Sequence, residues 1–233
     1  MTDRLAFGAA VEQLSRSHET GTSICEPFIQ VLPVNAAAVC TLGAPFGSET
    51  VSASNAVAAH FDELQFDLGE GPAWAALATR GPVLVDNFAT SSGATWPALM
   101  KAARNSDVHA VYAFPLIMGS VDIGAVSLFS TRSGGLSPAQ ILDAEVLAQI
   151  AALQVLRRSL TGQTLKSNLE DNEGYSRRVV HQATGMVLAQ LNLSADDALL
   201  MIHGHAFSHG QTVRDVAVAV VTRRLDFSSI PES

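Results

Sequence analysis

Cysteine is scarce in this sequence, in which only Cys25 and Cys40 occur among 233 residues. The two do not form a CxxC pair, so neither a disulfide framework nor a structural zinc site is indicated. We predict that both are small buried apolar residues. Hydrophobic residues make up 48% of the chain, which indicates a protein folded around an ordinary apolar core.

Positive charge is also in short supply, with 14 Lys and Arg residues against 22 Asp and Glu residues and a net charge of -8. Such a chain is not drawn indiscriminately to polyanions, because phosphate binding needs a local excess of cations. The stretch 175–225 has that excess: five arginines and three aspartates give it a net charge of +2. Any nucleic-acid site is therefore expected in this part of the chain.

Long uninterrupted apolar runs are missing. The first twenty residues have no apolar core followed by a cleavage site, so we read no signal peptide. The most apolar stretch, 111–129, is broken by Pro115, the Gly119-Ser120 pair and Asp122, which favours a buried hairpin over a membrane helix. We expect a cytoplasmic protein without a membrane partner.

Catalytic and metal-binding signatures are absent as well. The sequence contains no GxSxG, HExxH or kinase motif, and the Gly69-Glu70-Gly71 turn lacks the lysine of a phosphate-binding loop. His205 and His209 lie four residues apart, but no third ligand is placed nearby, so we assign no metal. No Cys or His is placed to attach haem or bilin. We predict a protein that is not an enzyme and requires no cofactor.

The segment 1–160 alternates helical and strand patterns, which predicts a first domain of mixed α and β structure. Strands are expected at 36–42, 50–54, 82–88, 108–118 and 121–130, the last two joined by a Gly119-Ser120 turn. A helix from Pro72 to Arg80 is expected to end on Gly81 as its left-handed cap.

The segment from Ser137 onward predicts a long helix, because Ser137 and Gln140 form a capping box around Pro138. Apolar residues follow at nearly heptad spacing, which predicts a dimer contact through Leu142, Val146, Leu153, Leu156 and Leu160. The polar stretch 161–174 is the expected junction between domains. Three helices are then expected in 175–227, two of them started by Ser194 and Thr212, with a tail at 228–233.

The first domain resembles the GAF family over roughly 21–156. The resemblance depends on the Leu68-Gly69-Glu70-Gly71-Pro72 turn before a helix, the Gly81-Pro82 strand entry, and the hairpin that precedes the long helix. It implies an antiparallel sheet with flanking helices and a sensory or dimerising role. Six aromatic residues are candidates for a small-molecule pocket, although their spacing is equally typical of a core: Phe61, Phe66, Trp74, Trp96, Tyr112 and Phe114.

The second domain resembles the ANTAR family, a three-helix module associated with RNA binding and transcription antitermination. The resemblance covers Gln182 to Gly185, Ser194 to Ala198, Ala206 and the helix 212–221, although Thr184 stands where many members have Lys. It implies that the chain is a homodimeric regulator that binds RNA stem-loops. The alternative function is a dimeric small-molecule-sensing or protein-interaction module that does not bind RNA.

RNA contacts are expected on two regions of this second domain. RNA loops expose splayed bases that need flat surfaces and hydrogen-bond donors, and the start of the third helix offers free backbone N–H groups to a phosphate. The candidate residues are Arg177, Arg178, Gln182, Ala183, Thr184, Gly185, His205, His209, Gln211 and Arg214. Helix packing by Ala183 to Gly185, solvation of Arg177 and Arg178, and packing of the histidines stay open as alternatives.

Overall fold

The structure, a computed structural model, describes residues 3–43, 46–88, 90, 95–104, 106–161, 173–209, 211 and 213–229. The chain divides into two compact units, residues 1–165 and 166–233. Each unit has a hydrophobic core of its own. Most of the predicted junction, 162–172, lies outside the described residues.

A five-stranded antiparallel sheet forms the centre of the first unit, with the strand order β2-β1-β5-β4-β3. Its strands are β1 (Ala36–Thr41), β2 (Glu49–Ala53), β3 (Val83–Val85), β4 (Ala110–Met118) and β5 (Val121–Ser130). All five strands lie where the sequence predicted them. The antiparallel sheet of the predicted α+β fold is thereby confirmed.

The β4–β5 hairpin turns through Gly119 and Ser120, because Met118 pairs directly with Val121. Gly119 has a φ of 61°, a backbone conformation that glycine adopts at little cost. A second glycine, Gly124, allows β1 to lie close against β5: a Cβ added there would lie 1.9 Å from the Cys40 carbonyl oxygen. The centre of the sheet therefore depends on the absence of one side chain.

Helices cover both faces of the sheet. One face packs against α1 (Arg4–Ser15), α3 (Glu26–Val31) and α7 (Pro138–Thr161), whose apolar side chains meet the β4 residues Tyr112 and Phe114. The other face packs against α4 (Ala56–Leu68), α5 (Pro72–Thr79) and α6 (Pro97–Ala102) around Phe61 and Leu99. A single turn, α2 (Ser17–Thr20), links α1 to the chain that leads into α3.

Both cysteines are free and buried, as predicted. Cys25 donates a hydrogen bond to the Ser52 carbonyl oxygen at 3.3 Å. Burial raises the pKa of Cys25 to about 12, so its thiol stays protonated at neutral pH.

The predicted end of α5 is wrong by one residue. The helix stops at Thr79, and Arg80, not Gly81, takes the left-handed conformation with a φ of 52°. The Arg80 guanidinium donates to Asp122 Oδ1 at 2.6 Å and to the Gly119 carbonyl oxygen at 2.7 Å. These contacts with the hairpin turn offset the strain that a side chain incurs in this conformation.

The long helix α7 begins with the predicted capping box. The Ser137 N–H donates to Gln140 Oε1 at 2.8 Å, and the Gln140 N–H donates to Ser137 Oγ at 3.4 Å. One face of α7 is buried in the core of the first unit, including Ala144, Leu147 and Ala151.

The opposite face of α7 carries the predicted heptad stripe. Leu142 is 63% exposed and Val146 is 43% exposed, whereas Leu153 and Leu156 are half-buried and Leu156 packs against the core of its own unit. The side chain of Leu160 lies outside the described part of the chain. Among the described side chains of the stripe, Leu142 and Val146 are therefore the accessible ones, whereas Leu153 and Leu156 are partly covered within the monomer.

Among the described residues, the segment Pro138–Ser159 of α7 is long and apolar enough to cross a membrane by length and composition. It is 44% buried inside the protein, where its apolar residues contribute to the core against the sheet.

The second unit is built from α8 (Glu173–Leu191), α9 (Ala195–His209) and α10 (Val213–Val221), followed by the short 3-10 helix η1 (Phe227–Ser229). The predicted cap of α9 is confirmed, because the Asp197 N–H donates to Ser194 Oγ at 3.1 Å. The predicted cap Thr212 lies outside the described residues. The core includes Val187, Ile202 and Val216, and η1 adds Phe227 to it.

Candidate functional site

The Gln182 to Gly185 segment of α8 divides between core and surface. Ala183 has no exposed surface, and Thr184 is buried and donates its hydroxyl to the Val180 carbonyl oxygen at 2.8 Å. These two side chains pack the bundle, which is the alternative that the sequence left open for them. Gln182 and Gly185 are exposed, and nothing lies within 4 Å of a Cβ placed on Gly185. They are the accessible members of the motif.

The cationic candidates lie on α8 and α10. Arg177 and Arg178 belong to the first turns of α8, and their side chains are outside the described part of the chain. Arg214 is the second residue of α10 and is half-buried, while Gln211 before it is exposed. Arg214 therefore lies at the N-terminal end of a helix of nine residues, where the helix dipole favours an anion.

The two candidate histidines of α9 stack on each other. Their ring centroids are 4.0 Å apart with an interplanar angle of 20°, and the Phe227 ring meets His205 edge-on at 5.3 Å. Burial, and secondarily the neighbouring His209, lower the pKa of His205. His205 thus helps to hold η1 on the bundle, which is the packing role left open by the sequence, while His209 is exposed.

The six aromatic candidates of the first unit do not line one cavity. Tyr112 and Phe114 face α1, α3 and α7. Phe61 and Trp96 belong to the cluster on the opposite face, and Trp74 packs beside Cys40 on that face. Because side chains alternate between the two faces of a strand, residues of β4 with even numbers cannot join Phe61. These five residues contribute to clusters on the two faces, the core role that the sequence left open, while Phe66 is half-buried on α4.

A polar cluster that sequence reasoning missed lies between α4 and the sheet. Gln65 is 1% exposed; its Nε2 donates to Ser127 Oγ of β5 at 3.4 Å, and its Oε1 accepts from the Ala73 N–H at 2.9 Å. The Trp74 indole donates to the Gln65 carbonyl oxygen at 2.8 Å. Gln65 therefore joins α4, α5 and β5 through hydrogen bonds.

Asp62 extends this cluster by one turn of α4. It is 4% exposed and accepts a hydrogen bond from the Thr50 hydroxyl of β2. Burying a carboxylate is costly unless it is hydrogen-bonded, so the Thr50 hydroxyl offsets part of the cost of burying Asp62. The sequence did not single out Asp62 and Gln65, because α4 also carries the polar residues His60, Glu63 and Asp67.

The Leu68 to Pro72 turn fixes the position of α5 beside this cluster. Gly71 has a φ of 137°, and a Cβ there would lie 2.7 Å from the Gln65 side chain. The Glu70 carboxylate accepts from the Leu99 N–H of α6 at 2.7 Å. The turn that carries the family resemblance is thus the point at which α4, α5 and α6 are tied together.

The N-terminal helices hold α7 through three polar contacts. Arg4 donates to both carboxylate oxygens of Asp143, at 2.9 and 3.3 Å. Gln154 Nε2 donates to the Ser15 carbonyl oxygen at 3.1 Å. Arg158, which is 6% exposed, donates to the Ser17 and Thr22 carbonyl oxygens at 3.2 and 3.1 Å.

The contact at the C-terminal end of α7 is incompletely satisfied. Ser17 Oγ, His18 Nδ1 and Gln154 Oε1 are buried without a hydrogen-bond partner. Buried polar atoms of this kind cost free energy, so this contact is weaker than its geometry alone implies. Burial also lowers the pKa of Arg158.

Comparison with known families identifies both units. The family model of the GAF domain matches residues 16–155, and the chain belongs to this family. The model of the ANTAR domain matches residues 173–221. The chain is therefore a GAF domain followed by an ANTAR domain, as the sequence predicted. An ANTAR domain implies RNA binding and antitermination, and a GAF domain implies signal sensing, so the protein is a regulator.

Solved structures support the fold of the first unit. The GAF domain from a phosphoenolpyruvate-protein phosphotransferase of Coxiella burnetii is similar with 12% identity and a TM-score of 0.51, over 68% of this chain and 97% of that chain. The chromophore-binding domain of a bacteriophytochrome from R. palustris is similar with 12% identity and a TM-score of 0.50, over 70% of this chain and 64% of that chain. No curated protein sequence matches the chain.

Proposed function

We propose that this protein is a cytoplasmic, homodimeric regulator that binds RNA stem-loops in response to a signal and shifts the choice between transcription termination and read-through. The observation that carries the proposal is the ANTAR match over a helical unit with its own core, placed after a GAF domain. RNA binding then belongs to the second unit and sensing to the first.

The RNA surface consists of the accessible candidates. Gln182 and Gly185 on α8 and Gln211 before α10 are exposed, and Arg214 lies in the first turn of α10. The side-chain amides of Gln182 and Gln211 supply donors and acceptors for bases. The N-terminus of α10 and Arg214 supply positive charge for a phosphate. Arg177 and Arg178 add cations in the same domain, and His209 adds an exposed ring.

Crosslinking in cells followed by sequencing of bound RNA tests the function directly. Enrichment of short stem-loops upstream of coding sequences supports the proposal. Absence of any enriched RNA under several growth conditions contradicts it.

Exchange of Arg214 for Asp tests the phosphate contact. We expect weaker RNA binding and a shallower salt dependence, since a reversed charge repels the phosphate and removes about one released counterion. Binding is measured with the enriched stem-loops at several salt concentrations, with helicity recorded as a check on folding. Arg132→Asp, at an exposed position of the first unit, is the matched control and should leave binding unchanged. Unchanged affinity in Arg214→Asp would remove this residue from the RNA surface.

The ligand of the sensory domain is proposed to act on the face of the sheet covered by α4 and α5. Asp62, Gln65 and Ser127 are the buried polar groups on that face, and a small molecule that exchanges hydrogen bonds with them would shift α4 and α5 relative to β5. Phe61, Trp74 and Trp96 contribute apolar surface to the same face.

The second candidate function is a dimeric sensing or protein-interaction module without RNA binding. It uses the same exposed apolar surface of α7, at Leu142 and Val146, and does not require the second unit to contact RNA. A protein that dimerises, responds to small molecules and yields no crosslinked RNA would establish this alternative.

A further inference from the structure

Helix α9 carries an apolar stripe on the side that faces away from the bundle core. Leu200 is 68% exposed, Met201 is 44% exposed and Phe207 is 77% exposed. Leu200, Gly204 and Phe207 follow each other at intervals of four and three residues, so they lie on one face of the helix. The buried residues Ala198, Ile202 and Ala206 lie on the other side.

The surroundings of Phe207 leave room for a flat ligand. Gly204 is one turn earlier, and nothing lies within 4 Å of a Cβ placed on it. Ser208 and Gln211 are exposed beside the end of α9, where the Gln211 N–H donates to the Ala206 carbonyl oxygen at 2.9 Å. The Phe207 ring, the uncovered backbone at Gly204 and the polar residues Ser208 and Gln211 thus lie within about two helical turns of sequence.

The stripe is too small for a stable protein partner. A specific protein interface buries about 800 Å² on each side through about 20 to 30 residues, whereas this stripe offers three large side chains. A single aromatic ring is, by contrast, the unit on which one nucleobase stacks.

Charge points to the same class of ligand. The stretch 175–225, which contains α9, has a net charge of +2 in a chain whose total is -8. This stretch, which lacks the acidic residues that flank it, is therefore the part of the protein that a polyanion can approach, and Arg214 lies seven residues beyond Phe207 in the sequence.

We propose that Phe207 is a stacking platform for an unpaired base in the loop of the bound RNA, with the sugar and neighbouring base passing over Gly204. The proposal rests on the RNA-binding function and extends it by assigning one exposed residue, Phe207, to an unpaired base. The exposed Gln211 side chain supplies a polar group for the edge of the stacked base, whereas the Ser208 hydroxyl already donates to the His205 carbonyl oxygen at 3.0 Å.

The test compares Phe207→Trp, Phe207→Leu and Phe207→Ala in the full-length protein. Because this side chain is largely exposed, all three variants should fold as the parent does, which circular dichroism checks. The probe is a pool of hairpin RNAs with one constant stem and randomised loops, selected on the parent protein. Stacking predicts that Trp preserves or strengthens binding, while Leu and Ala weaken it by roughly ten- to hundred-fold.

Phe207→Trp adds a spectroscopic readout that affinity alone lacks. Stacking of a base on the indole should quench its fluorescence when loop RNA is added, and the constant stem as a blunt duplex should not produce this change. The parent protein with the same RNA is the control for signals from Trp74 and Trp96.

Each outcome separates this inference from the proposed function. If the parent selects hairpins and all Phe207 variants bind them equally, the stacking role is overturned while RNA binding stands. If the parent selects no RNA, the proposed function fails first. If Phe207→Leu binds like the parent but Leu200→Ala changes the sedimentation coefficient, the stripe is a contact with a second copy of the chain, and the inference is overturned.

Discussion

Gly124 shows how one missing side chain shapes the sensory domain. Exchange of Gly124 for Ala would place a Cβ 1.9 Å from the Cys40 carbonyl oxygen and 2.7 Å from the Thr41 Cα. Both neighbours are backbone atoms of β1, so the strand itself must move. We expect a loss of about 3 kcal/mol or more in the free energy of unfolding, measured by denaturant titration.

Gly8→Ala is the matched control for this substitution. Gly8 lies within α1, it is exposed, and nothing lies within 4 Å of its added Cβ. Alanine there should stabilise the protein by about 0.5 to 1 kcal/mol, since it favours the helical backbone. Equal effects of the two substitutions would show that Gly124 is not needed for close strand approach.

Individual residues were predictable where local pattern decides their environment. The Ser137–Gln140 capping box and the Gly119-Ser120 turn follow from short-range chemistry, and both were predicted correctly. Arg80 was not predictable, because its left-handed backbone is supported by Asp122 on a distant hairpin. Gln65 was likewise missed, since its partner Ser127 lies 62 residues away.

The second helix of the ANTAR domain, α9, should make stability depend on pH. Burial lowers the pKa of both His203 and His205, so the folded bundle favours their neutral forms. The stabilisation is complete above the unfolded-state pKa of about 6.5 and is lost as pH falls through the lowered folded values. We expect the unfolding temperature of this domain to fall between about pH 7.5 and about pH 5.5.

His205→Phe is the variant that isolates this effect. Phenylalanine keeps a ring against Phe227 but takes up no proton, so the dependence of unfolding temperature on pH should become shallower than in the parent. Unfolding is followed by the NMR signals of the second domain in the full-length protein. An identical pH dependence in parent and variant would rule out His205 as a contributor.

Helix α7 provides the test of dimerisation. Exchange of both Leu142 and Val146 for Glu places charges on its most exposed apolar positions, 63% and 43% exposed in the monomer. We expect the parent to sediment as a dimer and the variant as a monomer with unchanged helicity, because charges are poorly tolerated in a buried helix seam.

Val57→Glu is the control for nonspecific effects of placing a negative charge at an exposed apolar position. Val57 is an apolar residue of α4 that is 46% exposed, outside the α7 surface, and its exchange should leave the dimer intact. A parent protein that sediments as a monomer at high concentration would contradict the dimer.

The sequence predicted the apolar face of α7 but not the partial cover of Leu156, because which helices flank α7 depends on the fold as a whole.

At the scale of the whole molecule, the sensory domain should regulate the RNA-binding domain through the chain that joins them. A flexible Gly-Ser insert between Thr161 and Glu173 should uncouple the two. A ligand biases the second domain only through its differential affinity for two arrangements, which typically amounts to about 5- to 150-fold in binding. We expect the parent, but not the insert variant, to change its RNA affinity when a small-molecule extract of cells is added.

The isolated second domain, residues 166–233, is the third protein in this comparison. It is used provided that its helical content equals that of the same residues in the full chain. Its RNA affinity should equal that of the insert variant and should not respond to the extract. Identical affinities for all three proteins, with and without extract, would mean that the domains are tethered without regulation.

The division into two domains was predictable from composition and motif order, since a capping signal and a shift in charge mark the second domain. The roles of particular positions were less predictable from the sequence. Ala183 and Tyr112 were candidates for ligand contacts with core packing as the open alternative, and both lie in the cores. Small and aromatic residues serve packing and recognition equally well, and only their direction in the folded chain distinguishes the two uses.

Helix α7 is held by contacts with Arg4, Ser15 and Ser17 of the N-terminal segment. Its supports are spread along its length, at Asp143 near the start, Gln154 further on and Arg158 close to the end. A displacement of α7 relative to α1 and α2 would disturb contacts at three separate points. The first 22 residues therefore help to fix the position of α7 on the first domain.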